Sequence, residues 1–205
     1  MSVFSPWLMR KTRAGEYKKI ASTIDKIISS SIPTVLLFLC AAPDFFAFLA
    51  PEGYTWALPA LFISALIPIP LALAQCASSI AIANEKIGGV ILSGIIPAAF
   101  VFLLDLLLIR RLSVAAIAVV TLFGAVLLST LGIKNVKRIT GEYILNVNKT
   151  FQNSLFLIFI SAFIYVFKDY ITIRIAVAFL SLAAFVIFGG KLVFLLKEKE
   201  ADSAR

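Results

Sequence analysis

Six apolar runs constrain this chain more than any other feature, because each is close to the roughly 20 residues that carry a helix across a bilayer. They cover about Ile32–Ala50, Trp56–Ala83, Ile87–Ile109, Val114–Ile133, Phe151–Phe167 and Ile171–Leu196. Unpaired backbone amides and carbonyls are too costly in hydrocarbon, so runs of this length must satisfy their hydrogen bonds internally, as helices. The expectation is an all-α integral membrane protein: a six-transmembrane-helix bundle over 32–196, a basic amphipathic connection over 1–31 and a short tail over 197–205. Composition agrees. The chain is 61% hydrophobic and 15% charged, with mean hydropathy +1.02, whereas soluble domains sit near half apolar and a quarter charged.

Charge orients the bundle. If the opening segment is cytoplasmic, the inner connections and tail hold fourteen Lys and Arg, while the outer connections hold three, Arg110, Arg111 and Lys168. That asymmetry is the positive-inside signal, and it places both termini in the cytoplasm. The net charge of +8 then reflects topology and anionic lipid, not nucleic acid. Tyr54 with Trp56, and Tyr165 with Tyr170, are expected in the outer aromatic belt.

The chain offers little for catalysis. It lacks histidine and any GxxxxGK[ST] run, so neither a histidine-based metal site nor a P-loop can form. Cys40 and Cys76 both fall in apolar runs and read as small buried residues. Neither an enzyme nor a cofactor or metal is expected.

The informative residues are the polar and helix-distorting ones inside spans. In the second span Ser64, Pro68, Gln75 and Ser79 stand at offsets of 4, 11 and 15, which at about 100° per residue is one narrow stripe. Pro68 and Pro70 lie mid-span, where proline removes a backbone donor and clashes with the preceding turn, so a kink is expected. Pro97 distorts the third span, and Asp105 sits about one turn from its outer end. An acid inside a span is costly and marks either a cavity or a side chain reaching for the interface. Arg174 stands in the first turn of the last span.

The opening run "FSPWLMRKTRAGEYKKIASTIDKIISSSIPTVLLFL" resembles the cytoplasmic connection and following helix in the second half of bacterial polysaccharide flippases of the MATE-like superfamily. Pro6, Lys11 and Gly15 match that family's Pro, then basic "K…G…" connection. "PDFFAFLAPEGYTWALPALFISALIPIPLALAQ" is similar to the next family segment. "ANEKIGGVILSGIIPAAFVFLLDLLLIRRLSVAAIAVVT" resembles the one after it, although Arg110 and Arg111 replace the family's glycine-rich turn.

The resemblance implies one half of a transporter whose family members have two related halves, with residue 1 lying near the middle of a longer protein. It also implies the function: flipping of an undecaprenyl-linked oligosaccharide across the bacterial inner membrane for cell-surface polysaccharide synthesis. The partners implied are membrane lipid, the lipid-linked glycan, and either an N-terminal half or a second copy. The glycan's pyrophosphate would meet Arg or Lys, with Arg174, Arg110 and Arg111 first, beside Asp105, Gln75, Ser64 and Ser79. Two alternatives stand beside it. One is a small-molecule antiporter of the same superfamily, coupled to Na⁺ or H⁺ through a membrane acid, for which Asp105 is the only candidate expected. The other is a non-transporting membrane assembly protein.

Overall fold

The computed structural model describes residues 4–50, 53–108, 113–142, 144 and 147–203. The elements are α1 (Phe4–Arg13), α2 (Tyr17–Leu49), a 3₁₀ turn (Thr55–Ala57), α3 (Leu58–Ser64), α4 (Pro68–Ala83), α5 (Ile87–Leu108), α6 (Val114–Thr140), α7 (Val147–Val166) and α8 (Ile171–Ser203). Four helical stretches are long and apolar enough to cross a membrane: Tyr17–Leu49, Thr55–Ala83, Ile87–Leu107 and Val114–Thr140. They meet four of the six expected spans. The other two expected spans coincide with shorter apolar helices, Gln152–Val166 and Ile171–Ile187.

Helix ends follow local chemistry. After α1 the chain reverses at Gly15, whose φ is +69°. Its N–H donates to the Thr12 carbonyl, and the Glu16 N–H donates to the Lys11 carbonyl. This is the paired closure that a left-handed residue makes possible at a helix C-terminus. The close of α4 repeats it with a less suited residue: Glu85 takes φ 59°, its N–H reaches Ile82 and that of Lys86 reaches Ala81. At the end of α6, Gly141 stands at φ 73° beyond Lys137 and Arg138, which are well placed against the helix dipole.

Proline shapes the spans differently from one to the next. Between α3 and α4 the helix is interrupted, not merely bent. Residues 65–67 form a turn and Pro68 opens the new helix, a position where its missing N–H costs nothing. In α2, Pro33 and Pro43 are carried inside one helix of 33 residues, about 50 Å long at 1.5 Å per residue. Pro97 is likewise carried within α5.

Packing relies on close approach. Lipid supplies no hydrophobic drive between helices, so small residues that let backbones come together matter most. Ala77 of α4 lies 3.1 Å from where a Cβ on Gly132 of α6 would stand, and Gly124 and Gly89 of α6 and α5 face Val101 and Asn135 across the α5–α6 pair. These pairs run α5 and α6 antiparallel. On α2, Ile20, Ile24, Ile28, Leu36 and Leu39 form the buried stripe. Phe62 of α3 meets Tyr165 of α7 edge-on, with centroids 5.5 Å apart. Tyr165 therefore packs inward, whereas Tyr170, Tyr54 and Trp56 are exposed.

From Phe4 to Glu142, all ten Lys and Arg of the described residues lie at one end of the bundle, formed by α1, the start of α2, the turn after α4 and the close of α6. The opposite end carries Lys168 and Arg174 against Asp44, Asp105 and Asp169.

Candidate functional site

The most specific polar feature within the apolar helices is a clamp between α2 and α8. Arg174 donates from both terminal nitrogens to the two carboxylate oxygens of Asp44, at 2.8 and 3.0 Å, and from one of them to the Cys40 carbonyl at 3.2 Å. The planar guanidinium matches a carboxylate in this two-point fashion as no lysine could. Pro43 lacks the N–H that would otherwise reach the Leu39 carbonyl, one residue before the Cys40 carbonyl to which Arg174 donates. The clamp is lopsided: the Arg174 side chain is 8% accessible and that of Asp44 68%. The buried Nε of Arg174 has no hydrogen-bond partner among the described residues.

Asp44 was missed by sequence reasoning, which weighed Asp105 as the sole acid of its kind. The signal was present, since Asp44 stands inside the first apolar run, near the end where Arg174 begins the last one. What the sequence lacked was any mark joining residues 130 positions apart. Arg174 itself, first choice for a substrate contact, is already committed to that carboxylate.

The other candidates are distributed. Ser64, Pro68 and Gln75 are exposed and Ser79 is half-buried. The polar stripe of α3 and α4 thus looks away from the bundle, while Leu73, Ala77 and Ile80 on the other face are buried. Pro70 and Pro97 are buried. Asp105 is half-buried on α5, and its Oδ1 is enclosed without a hydrogen-bond partner among the described residues. Arg110 and Arg111 lie outside the described residues. The structure therefore brings Arg174 together with Asp44 and Cys40, and leaves the stripe facing outward.

Among the described residues, no group of three or more Cys, Asp or Glu could hold a metal ion. An apolar cleft of about 520 Å³ lies over the inner part of α2 and between α7 and α8, floored by Ile32, Pro33 and Leu36. Ser29 and Ser181 are the polar residues lining it.

The described residues define an all-helical protein with four long apolar helices, the make-up of a multi-pass membrane protein. No protein-family model, no curated protein and no solved structure matches the chain.

Proposed function

We propose that this chain is one wall of a membrane transporter that flips a lipid-linked oligosaccharide, and that the wall acts opposite a second helix bundle. The observation that carries the reading is the outward polar stripe. Ser64 of α3 and Gln75 of α4 are exposed on a helical stretch otherwise apolar enough to span a bilayer, and polar groups facing lipid are expensive. A stripe of this kind fits the lining of a pathway between two bundles that rock about a midplane site. The opposing bundle is either the other half of a longer protein or another copy of this chain. The basic end adds support, since it is suited to drawing in an anionic head group before it enters the pathway.

The test pairs geometry with transport. Under a mild oxidant, cysteine at position 75 should form a disulfide with a cysteine placed on the opposing bundle, or with its own counterpart in a second copy, and Gln75→Leu should lower glycan export at unchanged protein level. Export at the parental rate by Gln75→Leu, with no crosslink from position 75, would remove the stripe from the pathway.

A second reading has its own observation. The enclosed, unpartnered Oδ1 of Asp105 suits a carboxylate that takes up H⁺ or Na⁺, as an antiporter of the same superfamily requires. It is tested by the cation dependence of uptake in reconstituted vesicles and its loss in Asp105→Asn. Export that ignores both the proton and the sodium gradient counts against it.

A further inference from the structure

We infer that the outward face of α1 and the corner after it form a docking surface for an anionic phospholipid bilayer. The corner sorts its own cations. Glu16 sits at the reversal and holds Lys11 and Lys19, each at 2.7 Å, so two of the five cations between residues 10 and 19 share its one negative charge. Arg10, Arg13 and Lys18 are exposed instead and have no ion pair among the described residues.

The apolar face of α1 is already used. Leu8 is fully buried and Thr12 nearly so, its hydroxyl donating to the Leu8 carbonyl at 2.8 Å, and the helix packs on α4 and α2. An amphipathic helix lying free on a membrane would bury that face in lipid. Here it is bound to the protein, which fixes the direction in which the arginines point. Phe4 and Trp7 stack on the same helix with centroids 5.5 Å apart; both are half-buried against the core, and tryptophan favours head-group depth. Lys26 is exposed further along α2, so cations continue toward the apolar run that starts near Ile32. A surface of fixed, unneutralised cations next to the first apolar turns complements lipid phosphates in charge and in depth. The inference does not depend on what the bundle transports.

The test uses the full chain with Trp56→Phe, so that Trp7 is the one remaining tryptophan. It is reconstituted in phosphatidylcholine vesicles containing either brominated phosphatidylglycerol or brominated phosphatidylcholine. Brominated phosphatidylglycerol should quench Trp7 more strongly, and raised salt should reduce the excess. Each cation near an anionic surface is worth up to roughly fivefold in association, so Arg10→Gln, Arg13→Gln and Lys18→Gln should lower the preference stepwise and the triple variant should lose most of it. Lys168→Gln, at the opposite end, should leave it intact. Equal quenching by the two brominated lipids, or a preference undiminished in the triple variant, overturns the inference. Should the triple variant lose its helical circular dichroism, the graded single variants decide by the same criterion.

Discussion

Truncating Asp44 to Ala is expected to destabilise the bundle more than truncating Arg174 to Leu, although both remove one ion pair. The difference follows from the two exposures, 8% for the Arg174 side chain and 68% for that of Asp44. Without Asp44, the guanidinium keeps the Cys40 carbonyl but remains enclosed with its charge uncompensated. Losses of this kind cost about 3–5 kcal/mol. Without Arg174, the carboxylate left behind is the exposed partner and can be solvated, so the loss is nearer that of hydrogen bonds to a charged group, about 1.5–3 kcal/mol. Asp44→Asn keeps an acceptor in place and should fall between them. The double variant no longer buries a charge, so it should be more stable than Asp44→Ala alone, with a coupling energy of roughly 2 kcal/mol or more. Reversible unfolding in mixed micelles across the four proteins measures the cycle. A cost for Arg174→Leu as large as that for Asp44→Ala, or changes that add within about 0.5 kcal/mol, would refute the unequal burial of the two charges as the source of the effect.

Three further outcomes follow from other parts of the fold. Gly124→Ala should cost about 1–3 kcal/mol, because its Cβ meets the stiff, branched Val101 across the α5–α6 contact; Val101→Ala in the same chain should restore much of it, as thermal unfolding in detergent would report. Glu85→Gly should stabilise by about 1 kcal/mol in the same measurement, since a residue with a Cβ pays for the left-handed backbone that closes α4. The Glu16 carboxyl is lowered from 4.5 to about 2, first by its hydrogen bond from Lys11 and then by that from Lys19. A lowered folded-state value means that the corner's extra stability is complete above about pH 4.5 and is lost as pH falls through about 2. Trp7 emission in the Trp56→Phe chain should follow that loss, and Glu16→Gln should flatten the profile.

Helical character and the positions of the apolar runs could be read directly from the sequence, because they depend on each segment's own composition and on the backbone's need for internal hydrogen bonds in lipid. The four long apolar helices fall where the runs place them. The gathering of basic residues followed for the same reason: successive antiparallel spans return the connections to alternate ends, and most of the Lys and Arg fall in every second one. The pairing of Asp44 with Arg174 was another matter. Each residue alone reads as a costly charge near a helix end, and only the packing of α8 on α2 turns them into a single bidentate contact. The direction of the polar stripe was also undecided by its spacing. Periodicity shows that Ser64, Gln75 and Ser79 share a face, but an inward and an outward face have the same period. Tertiary structure chose the outward one, because the close contacts of α4 with α6 and α1 are made by Leu73, Ala77 and Ile80 on its other side. Segment-level chemistry acts over a few residues and is written in order along the chain; which faces meet depends on shapes that come together only when distant helices pack.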